Sequence, residues 1–244
     1  HLVGCGKCRW CRRGDYHLCP TRGRSGEMRL HSTGFAEYSL EPADKVYPLP
    51  EGLPLEHAAI LDVYACAVHT LHLAPIRPGD VVVVQGAGPI GLSAAELYRL
   101  AGAGQVIVCG TQERSLEIAR MVGADVAIDS TRHDPVAAAM DLTHGQGADV
   151  VVEAVGGLAP TFAADLQMAT RGGTVVIIGA FQQPQSLDVG EGMGKELRLI
   201  FSNSYSLWQG VPEFRMALEL MAAGKLKPAL YITHRVALER IAEG

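Results

Sequence analysis

VVVVQGAGPIG, residues 81–91, places four valines and a glutamine directly before a Gly-x-Gly-x-x-Gly loop, and the loop runs into the helical pattern of 89–102. A short continuous run of β-branched residues reads as a strand buried on both faces. The loop motif alone is weak, because glycine-rich sequences match it by accident. Between a strand and a helix it gains a physical meaning. Gly86 turns the chain out of the strand, Gly88 leaves the backbone open to a pyrophosphate, and Gly91 permits close helix–strand packing. Pro89 and Ile90 open a helix whose first amides would face the phosphates. A tight turn with no ligand is the plain alternative.

Working outward, strand-like Val/Ile runs at 106–109, 126–128, 148–154 and 174–179 alternate with helical stretches at 113–123, 134–143 and 159–169. A further strand is expected at 196–204 and an amphipathic helix at 211–223. This alternation predicts an α/β fold: a Rossmann doubly wound parallel sheet covered by helices on both faces. Upstream the character differs. Residues 35–40, FAEYSL, alternate like a strand; four prolines break 41–54; and 55–74 has helical spacing up to the turn PIRPGD at 75–80. The first sixty residues therefore read as a loop-rich β region, and residues 228–244 leave the doubly wound pattern again.

Some twenty residues beyond the glycine loop, a site for NAD offers a carboxylate to the ribose hydroxyls. Here the second strand ends Val108-Cys109-Gly110-Thr111-Gln112-Glu113-Arg114, with glycine where an aspartate is expected. A 2′-phosphate would be repelled by that aspartate and accommodated by a small residue, a hydroxyl and a cation. Gly110, Thr111 and Arg114 supply these, so NADP(H) is favoured over NAD(H). Glu113 counts against this unless it points outward, and Arg114 also reads as an ordinary solvated helix residue.

Four of the six cysteines lie in the first nineteen residues, as Cys5, Cys8, Cys11 and Cys19. Disulfides across such tight steps would be strained, and a redox Cys-x-x-Cys pair has no need of four thiols. Four thiolates at this spacing close a tetrahedral Zn2+ shell with no open position, which makes the site structural rather than catalytic. An iron–sulfur cluster takes the same ligand set. Lys7, Arg9, Arg12, Arg13, Arg22 and Arg24 surround the cluster, but the chain carries a net charge of −5 and no further basic stripe. These cations screen an anionic metal–thiolate centre, and neither nucleic acid nor a membrane is an expected partner. The absence of a hydrophobic leader points to the cytoplasm.

The cysteine spacing, FAEYSLEPADKVYPLPEGLPLEHAAIL at 35–61, GAGPIG, GGTVVIIGA at 172–180 and KPALYITHRVALERIAEG at 227–244 occur in one order. Together they resemble the zinc-containing medium-chain dehydrogenase/reductase family, in particular its alcohol, sorbitol and threonine dehydrogenase branches. The resemblance implies part of a GroES-like β domain with a structural-zinc lobe (1–62), a Rossmann domain (63–208) and a return segment to the first domain (209–244). It also implies that Ile90, Ala154, Val155, Ile178, Gly179 and Ala180 line the cofactor. Asp62 falls where family members place a ligand or near-ligand of a catalytic zinc, although Asp62-Val63 replaces the Glu-Pro of the polyol branch; a helix-surface aspartate is the alternative. Cys66, His69 and His72 nearby read as packing residues.

The family carries its main catalytic-zinc ligands upstream of the four-cysteine lobe, so the chain is expected to be a fragment. The implied activity is hydride transfer between NADP(H) and an alcohol or carbonyl (a secondary alcohol, polyol or amino alcohol), with a catalytic zinc acting as Lewis acid. A homodimer or homotetramer is implied, joined through LRLIFSNSYSL at 197–207. The rivals are an NADPH-dependent quinone or enone reductase without catalytic zinc, which usually lacks the four-cysteine lobe, and a non-catalytic module binding zinc and a dinucleotide.

Overall fold

The computed structural model describes residues 4–22, 34–39, 41 and 43–243. Contacts divide the chain into two compact units, residues 1–62 with 204–244, and residues 63–203.

In the first unit, α1 (Arg9–Arg13) is capped at its start by the Cys8 side chain, which accepts from the Cys11 N–H. It stops at Gly14, whose φ of 92° is the left-handed conformation that ends helices. A 3-10 turn over Leu55–Ile60 leads into α2 (Leu61–Leu73), along which the chain passes into the second unit. The expected strand at 35–40 does not form: residues 35–37 are bends, and Tyr38 and Ser39 have no regular structure. Phe35 and Tyr38 are 80% and 87% exposed, and no ladder partner exists for this stretch among the described residues. Alternation alone cannot supply the neighbouring strand that a ladder needs. Leu40 lies outside the described residues.

The second unit is the alternating one. Its elements are β1 (Val81–Gln85), α3 (Pro89–Leu100), β2 (Gln105–Gly110), α4 (Glu113–Val122), β3 (Val126–Asp129) and α5 (Pro135–Leu142). They continue with β4 (Ala148–Glu153), α6 (Phe162–Met168), β5 (Ala169–Ile177), α7 (Val189–Lys195) and β6 (Arg198–Phe201). The six strands are all parallel, in the order β3-β2-β1-β4-β5-β6. That order places the two strands that leave in opposite directions, β1 and β4, side by side. Val82, Val83 and Val84 are wholly buried, as are Val151, Val152, Val175 and Val176 beside them. Each such side chain contributes about 1.5–3 kcal/mol relative to exposure, so the valine runs are a large source of the sheet's stability.

Helix α7 is hidden in the sequence by three glycines. It forms because Asp188 accepts from the Glu191 N–H and because Lys195 Nζ donates to the carbonyls of Leu166, Gln167 and Ala169. Strand β5 starts earlier than its valines suggest. Ala169 already pairs with Ala148, and the register then shifts before Val150.

Back in the first unit, β7 (Leu207–Trp208) and β8 (Val211–Pro212) make a short antiparallel hairpin over Gln209 and Gly210, both at positive φ. The following helix, α8 (Glu213–Ala222), starts two residues later than its apolar pattern suggests because Val211 and Pro212 belong to the hairpin.

Candidate functional site

The carboxyl ends of β1, β2, β4 and β5 form one edge of the parallel sheet, where doubly wound folds take their ligands. At its centre the chain is tied tightly. The Gly86 N–H donates to the Cys109 carbonyl, and the Ala154 N–H to that of Gln85. Gly86 has φ 109°, and a Cβ there would meet the Ala154 carbonyl carbon at 2.8 Å. A Cβ on Gly91 would lie 1.9 Å from the Gly86 carbonyl oxygen. Both positions thus demand glycine for geometric reasons, Gly91 within the loop itself and Gly86 through its φ and the chain that follows β4. Gly88 is different: its Cβ position has nothing within 4 Å. Gly88 is the N-cap of α3, with Pro89 next and no side-chain cap, so the first-turn amides of Ile90 and Gly91 are left for an anion.

At the end of β2, Gly110 is a packing glycine as well as a missing carboxylate. A Cβ there would meet Ala87 Cβ at 2.6 Å and Leu116 Cδ2 at 3.2 Å. Thr111 and Arg114 are exposed. Glu113 pairs with Arg120 at 4.0 Å along α4, and Arg114 has no ion-pair partner among the described residues.

Beyond β4 and β5, Val155 is 43% exposed. Gly156 (φ 61°) is pressed against Ala180, whose N would lie 2.5 Å from an added Cβ. The Glu153 carbonyl accepts from the N–H groups of Ile178 and Gly179, and the Ala180 carbonyl accepts from Gly157 N–H. Ala154, Val155, Ile178, Gly179 and Ala180 are therefore brought together on one cross-linked pair of loops.

Beneath these loops is a polar cluster that sequence reasoning missed. Glu153 and Asp165 are both fully buried. Glu153 Oε1 accepts from the Val155 and Gly156 N–H groups and from Thr161 Oγ1, each at 3.0 Å. Gln85 Nε2 donates to Asp165 Oδ1 and to the Thr161 carbonyl. Burial, with the Glu153 charge second, pushes the Asp165 carboxyl up to about 9. The available signal was an acid ending a strand of buried valines, because carboxylates are rarely fully buried without partners.

In the first unit, the sulfurs of Cys5, Cys8, Cys11 and Cys19 lie within 4.8 Å of one another. All six cysteines of the chain are free thiols. Four sulfurs at the usual zinc–sulfur bond length would be spaced by roughly 3.8 Å around the ion. The backbone cradles them as it would thiolates: Cys5 N–H points at Cys19 Sγ, Cys8 N–H at Cys5 Sγ, and Cys11 N–H at Cys8 Sγ. A Cβ on Gly4 would come within 2.5 Å of Cys11 Sγ, so the residue preceding the first ligand must be small. The Thr21 hydroxyl, followed by the Cys5 amide, brings the Cys19 thiol down to about 6, whereas burial pushes Cys11 up to about 12. The donor set fits a tetrahedral zinc. Of the surrounding cations, Arg9 and Arg13 stack on Trp10, and Arg13 also pairs with Asp15. Arg24 lies outside the described residues.

Asp62, in the first turn of α2, is exposed, and its Oδ1 accepts from the Tyr205 hydroxyl at 2.8 Å. Among the described residues no second cluster of three potential ligands forms, around Asp62 or elsewhere. Cys66 and His69 are likewise not drawn into one. No helix of the described residues is long and apolar enough to cross a membrane.

A six-stranded doubly wound sheet with an uncapped glycine loop, on the same chain as a four-thiolate cluster, defines a Rossmann-type α/β protein with a metal knuckle. The chain belongs to the zinc-binding dehydrogenase family, whose profile matches residues 89–223. It is 34% identical to a sorbitol dehydrogenase of Halalkalibacterium halodurans over 94% of this chain and 66% of that one. It is also 34% identical to an L-threonine 3-dehydrogenase of Anaeromyxobacter dehalogenans, over 99% of this chain and 68% of the relative. A Sinorhizobium meliloti structure described as a zinc-binding dehydrogenase bound to NADP superposes with a TM-score of 0.88 at 32% identity, covering 99% of this chain and 70% of that one. The chain thus spans about two thirds of the length of the curated relatives it matches.

Proposed function

We propose that this chain is the cofactor-binding and structural-zinc part of a zinc-dependent oxidoreductase that passes hydride between NADP(H) and an alcohol or carbonyl. Residues 63–203 serve as the dinucleotide-binding domain, and residues 1–62 with 204–244 belong to a catalytic domain carrying the structural zinc on Cys5, Cys8, Cys11 and Cys19. The pyrophosphate lies on the amides of Ile90 and Gly91 over Gly88. The nicotinamide lies along Ala154, Val155, Ile178, Gly179 and Ala180. Polyols and amino alcohols are the substrate classes that the relatives' names favour. A catalytic zinc supplies polarisation of the substrate oxygen in such enzymes. Asp62 would contribute one ligand to it, with Tyr205 fixing the carboxylate through Oδ1.

The observation that carries NADP(H) over NAD(H) is the end of β2. Gly110 has no carboxylate to repel a 2′-phosphate, and the exposed Arg114 has no ion-pair partner among the described residues while Glu113 is engaged with Arg120. Fluorescence titration with NADPH and NADH tests it. Wild type should bind NADPH more tightly, and Arg114→Ala should weaken NADPH about tenfold, the loss of one charge-assisted contact, while leaving NADH within about twofold. A preference for NADH would overturn the 2′-phosphate reading. Gly110→Asp is a poorer probe, because its Cβ would displace Ala87 and disturb both cofactors.

A further inference from the structure

The strands β4 and β5 belong to the second mononucleotide-binding half of a doubly wound sheet, the half opposite the glycine loop and β2. Glu153 stands at the end of β4, level with Gln85 of β1 and Ile177 of β5. From that one residue, bonds reach both loops of the half. Its carboxylate receives the N–H groups of Val155 and Gly156 and the Thr161 hydroxyl, and its carbonyl receives the N–H groups of Ile178 and Gly179. A Cβ on Gly179 would lie 2.2 Å from Glu153 Oε2, so the carboxylate sits directly under the second loop. Glu153 Oε2 and Asp165 Oδ2 are buried and accept no hydrogen bond from the described residues. A fully buried carboxylate is costly unless it is hydrogen-bonded, and here the donors that offset the cost lie in the loop after β4 and in Thr161.

We propose that Glu153 is a positioning residue for the nicotinamide half of the cofactor, fixing the loops after β4 and β5 from below, with Asp165 as its buried partner. This rests on the cofactor reading above. Glu153 touches no reacting atom; it sets where Val155, Gly156 and Gly179 stand. The groups facing Asp165 are Glu153 from β4 and Cys109 from β2, with neutral Gln85 from β1 and Thr161 ahead of α6. Lys195 of α7 binds carbonyls at the far end of α6, and Asp141, the only charged residue of α5, is exposed. Burial, then the neighbouring Glu153, holds the Asp165 carboxyl up at about 9, so at neutral pH Asp165 keeps its proton. Ionising Asp165 would place a buried charge beside Glu153 and loosen the loops it holds.

The test compares wild type, Glu153→Gln and Asp165→Asn by titration with NADPH, NADH and ADP-ribose, which lacks the nicotinamide. Glu153→Gln replaces an acceptor of three donors with an amide, and should weaken the preferred dinucleotide at least tenfold while changing ADP-ribose less than about twofold. Equal losses for both ligands, or no loss for either, overturn the proposal, since a residue that only maintains the fold would not distinguish them. If Glu153→Gln does not fold, Asp165→Asn decides. Wild-type dinucleotide affinity should fall several-fold between pH 7 and 10 with ADP-ribose affinity unchanged, and this dependence should vanish in Asp165→Asn. The same dependence in both proteins overturns the proposal. Wild type that is folded and binds ADP-ribose but neither dinucleotide refutes the nicotinamide site itself and the proposal with it. Dinucleotide binding that is indifferent to both substitutions refutes only the role of Glu153.

Discussion

Asp165 has a measurable effect on stability whether or not a cofactor is present. Burial and the neighbouring Glu153 hold its carboxyl at about 9 in the folded protein, far above the ordinary carboxylate value that it regains on unfolding. Below that ordinary value both states are protonated and its contribution is intact. As pH rises, the unfolded chain releases the proton first, so stability is lost progressively up to about 9 and then levels. Thermal melts of Asp165→Asn and wild type should therefore diverge with pH. The variant's melting temperature should gain several degrees on wild type between pH 5 and pH 9, and parallel curves would contradict the buried neutral acid. At this scale the sequence was legible where geometry alone selects a residue: Gly91 is glycine because its own loop leaves no room, and Gly86 because of its positive φ and its contact with Ala154. It was only half legible at Gly110, where the missing carboxylate was apparent and the contact with Ala87 was not. Glu153 and Asp165 lie too far apart in sequence for any local pattern to join them.

Strand β6 closes one side of the sheet with its outer edge unpaired among the described residues, and Phe201 on it is 74% exposed. An open edge carrying a large apolar side chain invites pairing with another edge. We expect two copies to join there, with each Phe201 counted twice by the symmetry. Phe201→Glu removes about 1.5–3 kcal/mol of burial per copy and adds facing like charges. Light scattering at micromolar concentration should then report monomers in place of dimers, whereas unchanged mass would place the interface elsewhere. Elements were readable where a single period dominates, as in β1, α3 and α4. They were obscured where tertiary partners decide: α7 has three glycines but is held by Asp188 and Lys195. The stretch 35–40 alternates correctly yet has no strand to pair with among the described residues.

At the level of the whole molecule, the two compact units draw on different sources of stability. Residues 63–203 rest on the valine core, while the knuckle of the other unit has little apolar interior: α1 buries none of its residues. On the proposed zinc reading, its order is expected to depend on the metal instead. Removing the metal with a strong chelator should release one zinc per chain and collapse amide protection over residues 4–22, while Val82–Val84 remain protected. Protection lost equally in both regions would show that the two units do not differ in this way. The four-cysteine spacing made the knuckle legible, since ligand type and interval agree. What the spacing did not show is how the knuckle is anchored. Ser206 Oγ donates to the Gly14 carbonyl from 192 residues away, and the Ser206 N–H in turn donates to the buried carboxylate of Glu213.

That anchor has a consequence during synthesis. The four thiols leave the ribosome well before the residue that secures the end of α1, which follows Gly14 by 192 positions. At about 5–20 residues per second, the nascent knuckle waits roughly 10–40 s for its support. Throughout that interval its cysteines would be open to oxidants and to competing ions, and early capture of a zinc ion would protect them before the rest of their unit has been made.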